Sequence, residues 1–336
     1  MGIKFDIIAC LIISAVTLTS SYPAKTAINE KIFSSKSTQA ANVSNDYISN
    51  DNSLQGYLSI IKSEEALKIL KQKKEIKVAV VDTGVDYTHP ELKDVVLKDL
   101  GYNFIDNNKD TMDDNWHGTH VAGIIAAQAS KGAGVSGVAG SADVKIIPIK
   151  ALDKNGQGSS DIMAKGIKYA ADEGADIINF SVGFKVKDKY IEEAIKYAEE
   201  KGAFVVVSAG NEGEDCDNSS PTADEGAYTV AAINNQEERS DFSNFGNSVK
   251  ISAPGEDILS TIPGGDYEYE SGTSMAAPIV AAVAALVKAE NPKLTPEEIA
   301  NILDETATDI MSKGKDKDTG YGLVNAYEAV KMASKK

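Results

Sequence analysis

The sequence predicts an α/β protein built on a doubly wound, mostly parallel sheet with helices on both of its faces. From about residue 54 to residue 333, short β-branched runs alternate with segments of helical periodicity, which is the pattern of such a sheet. The chain has 336 residues, of which 42% are hydrophobic and 25% are charged, so it can bury a large core. In sheets of this kind, reactive residues lie just after strands or at the starts of helices.

The individual elements follow from these runs. Strands are predicted at residues 77–81, 144–149, 176–182, 203–208, 227–233 and 249–252. Helices are predicted at residues 121–128, 161–174, 190–201, 273–289, 296–305 and 324–333. No internal repeat and no later linker interrupts the pattern, so we predict one domain over residues 51–336.

The N-terminal residues have the composition of an export signal. Lys4 provides a positive charge, residues 7–19 form an apolar run, and small and polar residues follow it. We therefore predict a signal peptide over residues 1–22 and secretion of the protein. The alternative is an uncleaved N-terminal membrane anchor with the rest of the chain outside, but the run is shorter than the ~20 residues that a transmembrane helix needs. Residues 23–50, rich in Ser, Asn, Lys and Thr, are predicted to be a disordered leader or a short pro-segment.

Charge and cysteine content exclude several classes of protein. The formal net charge is -16, from 50 acidic and 34 basic residues, which argues against a nucleic acid or an anionic membrane as partner. No stable membrane association is expected once the signal is cleaved. The two cysteines are Cys10 and Cys216, and removal of the signal leaves only one of them. The mature fold is therefore predicted to need no internal disulfide.

Asp82 and His117 occupy positions where such a sheet carries reactive groups. Asp82 ends the first predicted strand in Val-Val-Asp-Thr-Gly, although an aspartate there could also cap a turn. His117 opens His-Gly-Thr-His, directly before a predicted helix. A metal pair with His120 is disfavoured, because the two are three residues apart instead of four and no Glu lies between them. We interpret His120 as a buried packing residue.

Ser274 lies at the start of another predicted helix, in Gly-Thr-Ser-Met-Ala-Ala-Pro. The unpaired N–H groups and the positive dipole of a helix start would stabilise a developing oxyanion beside this hydroxyl. The alternative role is that of an ordinary N-cap serine.

Taken together, these three motifs, in the chain order Asp, His, Ser, closely resemble the signatures of the subtilisin family, and the resemblance covers about residues 54–333. It implies a subtilisin-like fold and a serine endopeptidase that forms an acyl-enzyme. Ser274 would be the nucleophile, His117 its base, and Asp82 the group that orients the imidazole. The family's oxyanion donor matches Asn211 in Ala-Gly-Asn-Glu-Gly, which could also be a turn amide.

The resemblance also implies where a peptide binds. An extended substrate would pair with the main chain of Ser181, Val182 and Gly183. Relatives often have a second glycine where this chain has Phe184, so we expect a specificity pocket of different shape. Glu212 follows the oxyanion asparagine and is the candidate acid of the specificity pocket, which would favour Lys or Arg before the scissile bond. The alternative is that Glu212 and its acidic neighbours Glu214, Asp215 and Asp217 all face water.

A structural calcium ion is the one cofactor that we expect. Residues 106–114 resemble a calcium loop of thermitase-like members, with Asp106, Asp110 and Asp113 as the predicted ligands, since calcium takes oxygen ligands from flexible loops. A solvated acidic loop is the alternative. The family's other common site would fall on Glu91 and residues 128–137, where the loop is altered.

The expected partners are protein or peptide substrates, and we expect a monomer. A dedicated processing protease for one partner is an alternative to a broad endopeptidase, and a non-catalytic binding member of the fold is a further alternative. The leader at residues 23–50 is too short and too polar for a folded inhibitory prodomain.

Overall fold

A computed structural model describes residues 8–10, 52–71, 74–129 and 134–336. The predicted leader and all of the predicted signal peptide apart from residues 8–10 lie outside the described residues.

The strands of the described residues are named in chain order. They are β1 (Ile8–Cys10), β2 (Ile76–Asp82), β3 (Tyr102–Asn103), β4 (Val144–Lys150), β5 (Gln157–Ser159), β6 (Ile177–Phe180), β7 (Phe204–Ser208), β8 (Ala227–Ile233), β9 (Val249–Pro254), β10 (Ile258–Ile262) and β11 (Asp266–Glu270). Seven of them form one parallel sheet in the order β3-β4-β2-β6-β7-β8-β9. Two antiparallel pairs, β1 with β5 and β10 with β11, stand apart from it.

The helices cover this sheet on both faces. They are α1 (Gly56–Ile60), α2 (Ser63–Ile69), α3 (His117–Ala126), α4 (Ser160–Asp172), α5 (Lys189–Glu200), α6 (Thr273–Glu290), α7 (Pro296–Thr306) and α8 (Ala326–Ala333). One apolar core packs α3, α6, α7 and α8 on one face, and a second packs α4 and α5 on the other. The predicted fold class is therefore confirmed.

The central strands are buried because both of their faces are covered. Residues of β2, β7 and β8 are almost all buried, which explains their continuous Val, Ile and Ala runs in place of an alternating pattern. Helix α6 is the one helix of the described residues that is long and apolar enough to span a membrane, and 94% of that window is buried inside the protein. It is the core helix of the domain.

Element boundaries differ from the predictions mainly beside the residues that were predicted to be reactive. The predicted helix at residues 121–128 begins four residues earlier, at His117, and the predicted strand at residues 176–182 ends at Phe180. The hairpin of β10 and β11 was not predicted, because β11 reads Asp-Tyr-Glu-Tyr-Glu and acidic residues disfavour strands.

Candidate active site

A buried pair of a carboxylate and an imidazole forms the centre of the site. Asp82 is the last residue of β2, His117 is the first residue of α3, and both are buried. The Nδ1 atom of His117 lies 2.8 Å and 2.9 Å from the two carboxylate oxygens of Asp82. Because a carboxylate only accepts hydrogen bonds, Nδ1 carries the proton and Nε2 of the neutral imidazole is left as a base.

The neighbours of His117 favour its protonated form. Burial by itself lowers the pKa of this imidazole, but the charge and the hydrogen bond of Asp82 outweigh burial, and Asp113 and Glu270 add to them. The pKa of His117 therefore lies above its ordinary value. An imidazole held in one tautomer with a stabilised cation can take a proton from a nucleophile and return it later.

Ser274 is the second residue of α6 and lies close to the segment that follows β6. It is 7% exposed, and its Oγ donates to the backbone carbonyl of Ser181 at 3.3 Å. No hydrogen bond joins this hydroxyl to His117 within the described part of the chain, and serine–histidine bonds of this type are often loose before a substrate binds. The backbone N–H of Ser274 belongs to the first turn of α6, where N–H groups lack a partner inside the helix.

Asn211 is held so that its amide nitrogen remains a donor. Its Oδ1 accepts hydrogen bonds from the backbone N–H and from the hydroxyl of Thr273, both at 2.9 Å. These donors fix the amide orientation, since Oδ1 is the only acceptor that the side chain has. The Thr273 hydroxyl in turn accepts from the N–H of Gly210 at 3.1 Å. Sequence reasoning missed Thr273, although it stands beside the serine in the same motif.

Asp113 holds the start of α3 against the end of β2, and its calcium role does not fit the structure. Its Oδ1 accepts from the Thr83 hydroxyl and the N–H of Asn115, both at 2.9 Å. Its Oδ2 accepts from the hydroxyl of Thr119 at 2.6 Å and from the N–H of Thr119 at 3.0 Å. Burial raises the pKa of this carboxyl. With both oxygens occupied by protein donors, Asp113 is a positioning residue instead of the predicted ligand.

Lys150 is a second supporting residue that the sequence did not reveal. It ends β4 directly beside Asp82 in the parallel register and is only 2% exposed. Its ammonium group donates to the backbone carbonyl of Thr83 at 2.6 Å, to that of Leu152 at 3.1 Å, and to the carboxylate of Asp114 at 2.5 Å. A buried ammonium with three oxygen partners joins the end of β2 to the loop that leads into His117.

The other two predicted calcium ligands remain exposed on that loop. Asp106 accepts from the Asn103 side chain at 3.1 Å, and Asp110 accepts from the Tyr87 hydroxyl at 2.9 Å and from the N–H of Met112 at 3.1 Å. Within the described residues, no group of three or more Asp, Glu, His or Cys side chains is arranged to hold a metal. Asp106 and Asp110 thus supply free carboxylate oxygens of the type that calcium prefers, without forming a closed set.

Glu91, at the family's other calcium position, is engaged inside the protein. Its two carboxylate oxygens accept from the Tyr267 hydroxyl at 2.8 Å and from the N–H of Val135 at 3.2 Å. Burial raises the pKa of Glu91 to about 7.

The expected substrate segment borders open space beside the nucleophile. The Ser181 hydroxyl donates to the Ser274 carbonyl at 3.3 Å, and a side chain built at Gly183 would meet no atom within 4 Å. Val182 is buried, and Gly183 is exposed. Phe184 turns into the core beneath α4 and α5, while its N–H donates to the Ser220 carbonyl at 2.7 Å.

The four acids after Asn211 do not converge on one pocket. Glu212 is exposed, and its carboxylate accepts from Asn244 at 2.8 Å. The other three have partners elsewhere: Glu214 lies 3.8 Å from Lys185, Asp215 lies 3.9 Å from Lys317, and Asp217 accepts from Ser248 and Asn247.

Comparison with known proteins gives matches over most of the chain. A model of the subtilase family of peptidases matches residues 73–322. The thermophilic serine proteinase of Bacillus sp. (strain AK1) is 44% identical over 254 residues, which cover 76% of this chain and 61% of that protein. Thermitase of Thermoactinomyces vulgaris is 39% identical over 254 residues, which cover 76% of this chain and 88% of thermitase.

The fold of the chain also matches that of a solved structure. It is a protease from the bacterium Pseudoalteromonas arctica, with a TM-score of 0.77 and 31% identity. The match covers 86% of this chain and 100% of that chain.

Proposed function

The chain belongs to the subtilase family, and from this premise we propose that it is a serine endopeptidase with Asp82, His117 and Ser274 as its catalytic triad. The observation that carries the proposal is the buried contact of 2.8 Å between Asp82 and Nδ1 of His117, which leaves Nε2 as the base. The position of Ser274 at the start of α6 supports its role as the nucleophile.

The proposed reaction is acyl transfer through the serine oxygen. Nε2 of His117 takes the proton of the Ser274 hydroxyl while that oxygen attacks the carbonyl carbon of the peptide. The resulting oxyanion accepts hydrogen bonds from Nδ2 of Asn211 and from the backbone N–H of Ser274. The imidazolium, stabilised by Asp82, then protonates the leaving amine as the C–N bond breaks. Water, deprotonated by the same imidazole, hydrolyses the ester on Ser274 and restores the enzyme.

Substrate is proposed to lie in an extended form along residues 181–183. The open space at Gly183 supports close approach of another main chain, which pairs by backbone hydrogen bonds as an added strand. Glu212 is proposed to border the pocket for the residue before the scissile bond. Its exposure and its hydrogen bond to Asn244 limit it to a mild electrostatic effect there.

Calcium is proposed to bind the loop before His117 through Asp106 and Asp110. Backbone carbonyls and water would complete the shell, because calcium takes six to eight oxygens. The ion would stabilise the loop and take no part in the proton transfers.

We further propose that residues 1–22 direct export, so that the enzyme acts on proteins or peptides outside the cell as a monomer. The apolar run at residues 7–19 and the net charge of -16 support this proposal.

The central test uses the nucleophile and the oxyanion donor. Ser274→Ala should abolish peptidase activity and labelling by a serine-directed phosphonate while the circular dichroism spectrum stays unchanged. Asn211→Ala should lower kcat by about a hundredfold or more with little change in KM, as is usual for one oxyanion donor. Substantial turnover by Ser274→Ala would contradict the triad. A cleavage profile on a peptide library would distinguish a broad endopeptidase from a dedicated processing enzyme.

A further inference from the structure

Glu270, the last residue of β11, carries a half-buried carboxylate. Within the described residues it has no hydrogen bond and no cationic partner, and the charged groups that act on it are Glu268 and His117. The buried carboxylate of Glu91, by contrast, accepts a hydrogen bond from the Tyr267 hydroxyl at 2.8 Å. An unsatisfied one beside a catalytic imidazole is a candidate for ligand binding.

The position of Glu270 is fixed by the hairpin that carries it. Glu270 ends β11 opposite Ile258, and the chain runs from it through Gly272 into the start of α6. Three hydrogen bonds hold the hairpin on α3: from His120 to the Glu268 carbonyl at 3.1 Å, from the Ser260 hydroxyl to the His120 carbonyl at 2.8 Å, and from the Thr261 hydroxyl to the Thr119 carbonyl at 2.9 Å. The hairpin that carries Glu270 is therefore fixed against α3, the helix that begins at His117.

The reaction geometry indicates which half of the substrate passes this carboxylate. The acyl half is proposed to lie along residues 181–183 and Asn211, which follow β6 and β7. The leaving amine must reach Nε2 of His117 to receive its proton, so the leaving half passes on the side of α3 and the hairpin packed on it. Trp116 borders the same imidazole, with its ring centroid 5.4 Å from that of His117 at an interplanar angle of 68°, and it is half-buried.

We propose that Glu270 and Trp116 form a leaving-side subsite that selects substrates with Arg or Lys as the first residue after the scissile bond. This inference rests on the proposed endopeptidase function and adds the substrate class. The carboxylate pairs with the cationic head, while the indole covers the aliphatic stem and can interact with the cation.

The protonation of Glu270 gives the subsite a measurable signature. Burial, and then the neighbouring Glu268, raise the pKa of Glu270 to about 7, while His117 acts in the opposite direction. Ionised Glu270 attracts a cation and the neutral form does not, so the preference for a basic residue should increase between pH 6 and pH 8. In a ratio of two substrates measured at the same pH, the titration of His117 cancels, because both substrates need the same base.

The experiment compares peptides that differ only in the residue after the scissile bond, Arg or Gln. For the wild-type protein we expect kcat/KM to favour Arg by about fivefold at pH 8 and by less at pH 6. Glu270→Gln should bring the ratio close to one at both pH values. The control is Glu193→Gln, an exposed residue of α5 on the opposite face of the sheet, which makes the same charge change and should keep the wild-type ratio.

The outcomes separate this inference from the proposed function. A wild-type ratio near one, or a Glu270→Gln protein that keeps the preference, overturns the subsite while peptidase activity still supports the triad. Absence of cleavage of every peptide, together with absence of phosphonate labelling of folded protein, overturns both. Melting curves of each variant establish that it is folded, and Glu270→Asp offers a second variant in which the charge is kept and the reach is shortened, so an intermediate ratio is expected.

Discussion

Replacing Lys150 by methionine tests whether this buried lysine holds the proposed triad in place. The lysine is 2% exposed, and its ammonium binds the carbonyls of Thr83 and Leu152 and the carboxylate of Asp114. Methionine fills the space of the aliphatic stem and removes all three hydrogen bonds. The change therefore isolates the polar contribution of the side chain from its packing.

The expected loss of stability follows from the buried acceptors that lose their donor. A buried acceptor that loses its donor costs ~1–3 kcal/mol, and here two backbone carbonyls are affected. The Asp114 side chain is 53% exposed and can be hydrated, so its loss adds little. We expect the free energy of unfolding to fall by about 3 kcal/mol. Because Thr83 adjoins Asp82, the displaced strand end should also lower kcat by roughly tenfold or more.

The assay needs a control for self-digestion and a control for charge. Denaturant melts are made in the Ser274→Ala background, where unfolded chains are not cleaved, and kcat is measured with Ser274 restored. Lys145→Met is the matched control on the same strand, since the Lys145 side chain is 22% exposed and lies 3.6 Å from Asp143. Its loss should be below about 1 kcal/mol. If Lys150→Met is no less stable than Lys145→Met and retains full kcat, Lys150 does not support the proposed triad.

Three further predictions concern charge and metal. On an uncharged peptide, kcat/KM should fall as pH drops through the raised pKa of His117. Glu270→Gln removes a negative neighbour of His117 and should move the midpoint of this pH profile to lower pH. An unmoved midpoint would exclude the coupling between Glu270 and His117. Excess chelator should lower the melting temperature of the wild type more than that of the double variant Asp106→Asn and Asp110→Asn. Equal shifts in melting temperature would show that these two residues do not bind calcium. The ratio of kcat/KM for peptides with Arg and with Glu before the scissile bond should favour Arg by only a few fold, and Glu212→Gln should reduce it. An unchanged ratio would show that Glu212 faces solvent and does not act on the substrate.

The residues of the proposed triad could be placed at the ends of strands and helices from the sequence, because their positions follow from chain direction. Asp82 ends a strand and His117 and Ser274 begin helices, as expected for the carboxyl edge of a parallel sheet. Sequence motifs and hydrophobic periodicity both reflect local structure, so both indicate where these strands end and where these helices begin. The helix boundary at His117 was still misplaced by four residues, since Gly-Thr-His has no strong helical pattern.

The supporting residues could not be predicted, because their partners are distant in sequence. Asp113 was predicted to be a calcium ligand because of its acidic neighbourhood, whereas its donors include the Thr83 hydroxyl, 30 residues away along the chain, and the Thr119 hydroxyl. Lys150 would be expected in solvent from its residue type alone. Its burial depends on the Thr83 carbonyl, which lies 67 residues away along the chain.

Three carboxylates influence His117, and their hydrogen bonding determines what each can do. Asp82 is committed to the imidazole itself, and Asp113 has four protein donors, so neither has capacity for a substrate. Glu270 acts on the same imidazole and has no hydrogen-bond donor among the residues that the structure describes. The desolvation cost of its charge is therefore uncompensated in the free enzyme, and a cation brought by the substrate would compensate it. We therefore expect Glu270 to discriminate substrate charge more strongly than the exposed Glu212 does.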